Sequence, residues 1–469
     1  MSKGRPPMAI GSQTIGTPEL GAEALKELEN NLRGDVLRPS HPGYEAARTV
    51  FNAMVDRHPA LIVRCKAVPD VQRALEFARV HNLLVAVRGG GHNVAGKALC
   101  DNGMVIDLSA MKEMRVDPAA CTVQAEAGLT WGELDRATQA HGLATTGGFV
   151  STTGIAGLTL GGGLGWLMRK HGLASDNLRS VQIVTADGQL RNASASENPD
   201  LFWAVRGGGG NFGIVTSFEY QLHPVGQMLA GIVFFPFDQA GAALRFYRDL
   251  MATAPDELMA YAVLLTSPEG VRMLAIPVCY VGPMASAEEA LRPVRSFRQP
   301  AADLVRAMGY LEIQSMFDAG FPAGRLNYWK SNFLRDLSDQ AIDVMVRFFA
   351  AVPSPLSAVA IEPLGGAVGR IAVEQTAFPH REARFSLVIV SMWTDPAASD
   401  ANTRWTREFW SAMQPFTSDA VYVNYLDADD ADRVQAAYNP ETYQRLRLLK
   451  QRYDPQNVFR VNQNIGPAT

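Results

Sequence analysis

Three glycine clusters carry the strongest chemical signal in this 469-residue chain. The first runs Val87-Arg88-Gly89-Gly90-Gly91-His92-Asn93-Val94-Ala95-Gly96, directly after an apolar stretch. Consecutive glycines let backbone N–H groups converge on an anion with no side chain in the way, which suits a pyrophosphate. The pattern is neither GxGxxG nor a Walker loop, since no Gly-Lys-Ser/Thr follows. The second cluster spans Gly154 to Gly165, and its density of small residues makes a flat surface against which a planar heterocycle could lie. The third, Arg206-Gly207-Gly208-Gly209-Gly210-Asn211-Phe212-Gly213-Ile214-Val215, could cover a ligand or form a wide turn. Tight backbone packing is the purely structural use of all three. The eight histidines are scattered, with no HExxH and no acidic loop, so no metal site is expected.

The elements that must hold these loops are legible in outline. Pro69-Asp70 opens a helix with Val71, Ala74, Leu75 and Ala78 on one face. Leu83–Val87, Met104–Leu108 and Cys121–Ala125 read as strands. Thr130 and Glu133 form a capping box for a helix that stops at Gly142. Val181–Thr185, Asp187-Gly188 and the run from Leu190 read as a hairpin. A second region, 226–414, predicts strands at Leu229–Phe235, Met259–Leu265, Val271–Tyr280 and Phe385–Trp393. Helices at 238–253, 286–296, 338–351 and 398–413 separate them. That mixture indicates an α+β unit on a broad antiparallel sheet. The chain ends with a strand at Ala420–Tyr425 and a helix at Pro440–Arg452.

Composition bounds the rest. Hydrophobic residues make up 47% and charged residues 19%, enough for a sizeable core and too apolar for a disordered chain. A net charge of −4 gives no reason to expect nucleic acid or an anionic membrane as partner. Cys65, Cys100, Cys121 and Cys279 lack a CxxC and read as buried free thiols. Residues 1 to about 30 read as a loose leader without a signal-peptide core, and no apolar run approaches ~20 residues. The expectation is a soluble, cytoplasmic protein.

Five ordered motifs resemble the flavin-linked oxidases of the vanillyl-alcohol-oxidase superfamily, berberine-bridge-enzyme-like branch. They are VRGGGHNVAG, TTGIAGLTLGGGLGWLMRKHGLASDN, LFWAVRGGGGNFGIV, YVNY and YQRLRLLKQRYDPQNVFRVNQNI, lying between residues 87 and 465. The resemblance implies a two-part FAD-binding domain of the PCMH type, residues 30–225 and 415–469. An inserted α+β substrate domain with a large antiparallel sheet would occupy 226–414. It implies FAD as cofactor, a small ringed substrate, and hydride transfer from an alcohol or amine carbon to flavin N5. Reoxidation by O2 would yield hydrogen peroxide. A dehydrogenase or oxidative cyclase with low O2 reactivity is the alternative, and a non-catalytic flavin- or ligand-binding protein the more distant one.

The same resemblance assigns residues. Val87, Arg88, Gly89, Gly90, Gly91, His92 and Asn93 would bind the cofactor, with the pyrophosphate on the amides of Gly89 to Asn93 and His92 bonded covalently to the flavin. Val150, Thr152, Thr153, Gly154, Ile155, Ala156, Gly157, Leu158 and Leu164 would also bind it, with Gly154 to Leu158 lining the flavin and ribityl chain. Val150 stands where many members carry a second attachment cysteine, so a single covalent link is expected. Asp176, Gly213, Ile214, Val215, Asn424, Asn462 and Asn464 would complete the cofactor site. Tyr425 would be the catalytic base, with Tyr422 as its partner or competitor. That role needs a stabilised phenolate, because an ordinary tyrosine titrates near pH 10. Tyr328, Phe378 and Trp393 would form an aromatic wall for the substrate.

Overall fold

Val71, Ala74, Leu75 and Ala78 are all fully buried on one stripe of the helix Val68–Val80, which packs on the strand Met104–Asp107. The computed structural model describes residues 20–468; the expected leader lies mostly outside the described residues. Asp35–Leu37, Leu61–Arg64, Met104–Asp107 and Val85–Arg88 form a four-stranded sheet, with the last three parallel. Met114–Asp117, Thr122–Glu126, Ile214–Gln221, Leu178–Val184 and Leu190–Ser194 form an antiparallel sheet of five. The Glu133 carboxylate accepts from the Thr130 amide at 2.8 Å and starts the helix Trp131–Gln139.

The second region builds a nine-stranded antiparallel sheet. Its main path runs Ala302–Asp303, Met228–Pro236, Arg272–Tyr280, Ala262–Thr266, Ala358–Pro363, Phe385–Trp393, Leu326–Leu334. Four helices, Ala240–Thr253, Met284–Ser296, Asp339–Phe349 and Ser399–Met413, cover one face, burying Val359, Ile361, Leu387 and Ile389 beneath them. Strands here have period 2, so the alternate residues emerge on the opposite face, toward the glycine loops. The strands Leu326–Leu334 and Ala358–Pro363 were not among those expected from the sequence. The expected strand 259–265 is split at Tyr261, whose N–H reaches Pro277 O at 2.9 Å; proline has no N–H to complete the ladder there.

The C-terminal segment returns to the first region. Val421, Val423, Leu426, Leu446, Phe459 and Ile465 share one hydrophobic core with residues 25–222. The buried Lys450 ammonium donates to Asp454 Oδ2 at 2.7 Å, Asn211 O at 2.8 Å and Phe459 O at 2.9 Å, so its charge is fully partnered. The expected strand at 420–425 is corrected. Ala420 O accepts from Phe333 N at the sheet edge, but Val423–Tyr425 then closes a 3₁₀ turn, with Tyr425 N on Tyr422 O at 2.9 Å. Asn424 holds that turn by donating to Leu158 O at 3.0 Å and to the Tyr422 hydroxyl at 2.8 Å. Among the described residues no helix is long and apolar enough to cross a membrane.

Candidate active site

The first two glycine loops meet backbone to backbone. A Cβ on Gly90 would overlap the Gly154 amide nitrogen, and a Cβ on Gly154 would overlap that of Gly90. Only glycine permits this approach. The second loop is pinned from behind by Trp131 N on Thr153 O and Ile155 N on Leu129 O, each 3.0 Å. At the end of the first loop His92 stacks on Phe51, with ring centroids 4.2 Å apart and planes 19° from parallel. Its Nε2 lies 3.1 Å from Thr152 Oγ1. Burial lowers its pKa to about 4, with Asp318 opposing, so the imidazole is neutral at pH 7. Asp318 itself clamps Ser151 through N (2.8 Å) and Oγ (2.5 Å), fixing the segment that carries Phe317 over the cavity.

A cavity of about 810 Å³ runs from these loops to the open face of the large sheet. Val87 and Gly89 through Asn93 line it, as do Val150, Thr153, Gly154, Ala156, Gly157, Leu158 and Leu164. So do Gly213, Ile214 and Val215 from the third cluster, and Tyr422, Asn424, Tyr425 and Asn462 from the C-terminal return. Segments from three distant stretches of chain therefore converge on one space. No cysteine lines it, and all four thiols are free.

Other residues expected here lie elsewhere. Arg88 turns away to donate to Ala47 O. Ile155 is fully buried in the first core. Thr152 reaches His92 rather than the cavity. Asp176 forms a two-pronged ion pair with Arg381 at 2.7 and 2.8 Å, both side chains buried, and staples the second glycine loop to the inserted region. Asn464 does not line the cavity, although its buried Oδ1 has no partner.

The expected aromatic wall is also corrected. Tyr328 and Trp393 sit on the helix-facing side of their strands: the Tyr328 hydroxyl is held by Asp429 and Arg407, each at 2.8 Å, and Trp393 Nε1 donates to Ser399 Oγ at 3.1 Å. Strand phase decides this, because a shift of one residue exchanges faces. Trp329, paired with Val390, lines the cavity instead. Phe378 packs edge-on against Tyr422 and Phe333, outside the cavity.

The largest change concerns the base. Tyr425 OH donates to Glu362 Oε1 at 2.8 Å. Burial, then the Glu362 and Tyr422 charges, push the Tyr425 pKa well above its ordinary value. A stabilised phenolate needs a neighbouring cation, and this tyrosine has a carboxylate. Tyr422 is likewise raised by burial, its hydroxyl accepting from Gly163 N and Asn424 Nδ2, each at 2.8 Å. Glu362 lines the cavity, is 4% exposed, and its Oε2 is buried without a partner. Burial raises its pKa to about 7, with the hydrogen bonds of Tyr425 and Ser386 opposing. A carboxylate poised near neutral pH in a cleft has the properties of a general base. The sequence reading missed Glu362; the available signal was a lone acid closing the apolar run Ala358-Val359-Ala360-Ile361.

Comparison with known proteins gives the family. Residues 59–194 match the family model described as FAD binding domain, and residues 421–466 that described as berberine and berberine like. An uncharacterized FAD-linked oxidoreductase of Bacillus subtilis, YgaK, is 32% identical over 446 residues, covering 94% of this chain and 98% of its own. The (R)-6-hydroxynicotine oxidase of Paenarthrobacter nicotinovorans is 30% identical, covering 93% and 97%. Among solved structures, 6-hydroxy-D-nicotine oxidase from Arthrobacter nicotinovorans superposes with a TM-score of 0.86 at 29% identity, covering 93% of this chain and 98% of that one. The BBE-like 1 protein of Physcomitrella patens shares the fold, with a TM-score of 0.87 at 24% identity over 95% and 99%.

Proposed function

This chain belongs to the berberine-bridge-enzyme-like FAD-linked oxidoreductases, and from that membership we propose that it oxidises a small-molecule alcohol or amine with Glu362 as general base. The residues present fit FAD. The loops at Gly89–Asn93 and Gly154–Leu158 offer backbone amides at their glycines, and the buried Asn462 Oδ1 on the cavity wall lacks a protein partner. When bound, FAD supplies the hydride acceptor and, toward O2, the two-electron donor that yields hydrogen peroxide.

The chain's own residues orient substrate and move its proton. Glu362 accepts the hydroxyl or amine proton on its carboxylate, which stands at the cavity wall. Tyr425 fixes the carboxylate through Oε1 and favours its ionised form. The sheet above and the glycine loops below exclude water, which strengthens both interactions. His92 is the residue we assign to covalent attachment; its neutral imidazole at the cavity wall supports that role, because only the neutral ring carries a nucleophilic lone pair. The absence of a thiol from the cavity lining supports a single link.

The observation that carries the catalytic assignment is the Glu362 carboxylate itself, buried against Tyr425 at the cavity wall. Anaerobic mixing with substrate tests it. Glu362→Gln should abolish rapid bleaching of the flavin while leaving flavin content intact, whereas unaltered bleaching would remove Glu362 from the mechanism. Reoxidation of the bleached enzyme by O2, compared with an artificial acceptor, separates oxidase from dehydrogenase.

A further inference from the structure

Resting on the oxidoreductase reading above, we infer that this site selects an apolar, ring-bearing substrate with a single hydroxyl or amine at its reactive end, and rejects sugars. The argument lies in the cross-strand rows that the large sheet presents to the cavity. One row carries the polar groups: Tyr261 and Glu362 both line the cavity, and the Tyr261 hydroxyl, like Glu362 Oε2, is buried without a partner. The next row, set by the pairings of Val263 with Ala275 and Ala360 and of Ala360 with Val388, is wholly apolar where it lines the cavity. The row beyond, Leu265, Ala358, Val390 and Trp329, is apolar again, and Trp329 can donate only through Nε1, already committed to Asn327 Oδ1 at 3.2 Å.

Polar side chains return only where the strands end, at Thr266, Ser267 and Ser357. From the opposite side the cover is Met316, Phe317 and Phe321. The substrate half of the cavity thus has one polar end, an apolar middle and a polar rim. A sugar ring would bring several hydroxyls over the middle rows, where no side chain can answer them, and each buried hydroxyl without a partner weakens binding. An aromatic or alicyclic body buries apolar surface there and leaves its one hydroxyl or amine to Glu362 and Tyr261. The alanines Ala275, Ala358 and Ala360 make the trough that admits the ring, which makes them the specificity-determining positions.

Anaerobic isothermal titration of the holoenzyme with its flavin already reduced, using cinnamyl alcohol and glucose, tests the inference, because a reduced flavin accepts no hydride and the heat is that of binding alone. Cinnamyl alcohol should bind at least tenfold more tightly than glucose. Ala360→Phe, which fills the trough without adding charge, should weaken cinnamyl alcohol at least tenfold with unchanged flavin absorbance. If that variant does not fold, Ala358→Val should give the same direction with a smaller change. Glucose binding as tightly as cinnamyl alcohol, or cinnamyl alcohol indifferent to both substitutions, overturns the inference while leaving the oxidoreductase reading intact. Failure of that reading shows separately, as protein purified without flavin or as Glu362→Gln with unchanged reduction.

Discussion

The Tyr425 hydroxyl donates to Glu362 Oε1 at 2.8 Å, and the two residues come from parts of the chain 63 positions apart. One belongs to the inserted sheet and the other to the C-terminal return, so the pair forms only when both regions are docked. The 3₁₀ turn matters here. Residues three apart eclipse in such a turn, which brings the Tyr422 and Tyr425 rings edge to face with centroids 4.9 Å apart. In a strand they would point to opposite faces.

Glu362→Gln should slow substrate-driven flavin reduction by roughly 10²- to 10⁴-fold, the usual worth of a positioned base. Stopped-flow absorbance under anaerobic conditions reads this directly. A loss of flavin instead of a loss of rate would mark Glu362 as structural.

The pH profile follows from the Glu362 pKa of about 7. Only the ionised carboxylate accepts a proton, so kcat/KM should rise about tenfold per unit of pH below 7 and level off above it. The Tyr425 hydrogen bond stabilises the ionised form. Tyr425→Phe should therefore move the limb to higher pH, by about one unit, the equivalent of roughly 1.4 kcal/mol. A shift to lower pH would contradict the geometry.

His92→Ala should release flavin on denaturation. Wild-type protein run on a denaturing gel should keep flavin fluorescence on its band, and the variant should not. Fluorescence persisting in the variant would move the attachment to another residue.

Asp135 gives a stability test remote from the chemistry. It is fully buried, accepts from Gln314 Nε2 at 2.9 Å, and has one oxygen without a partner. Burial raises its pKa to about 7, with Gln314 opposing. The folded state thus holds the proton more tightly than the unfolded state. The associated stability is complete below about pH 4 and is lost as pH rises to about 7, up to roughly 4 kcal/mol. Asp135→Asn should melt higher than wild type at pH 8, with the gap narrowing at pH 5. A gap that widens toward acid would reverse the assignment.

Much of this was legible in the sequence wherever the signal was local. The Gly90–Gly154 contact left its trace as two glycine runs, and the helix Val68–Val80 as a 3.6-residue stripe after a proline. The strand phases were not legible. Tyr328 and Trp329 are neighbours in sequence, and which of them faces the cavity depends on pairing Trp329 with Val390, a partner 61 residues away. Glu362 escaped for a related reason: its strand is six residues long, and the burial that tunes it comes from strands and loops contributed by other regions. The YVNY segment read as a strand because its residues favour one, and the side-chain bonds of Asn424 override that preference.

The shared core of residues 25–222 and 421–465 sets an order of events during synthesis. The glycine loops leave the ribosome early, yet Val421, Phe459 and Ile465, which seal their core, follow about 210 to 380 residues later. At about 5–20 residues per second the wait is roughly 10–75 s. Through that interval the nascent loops have neither the Asn462 side of the cavity nor the Tyr425–Glu362 pair. Cofactor capture therefore waits for residues 421–465, and a chain cut before Val421 has no complete place to keep its flavin.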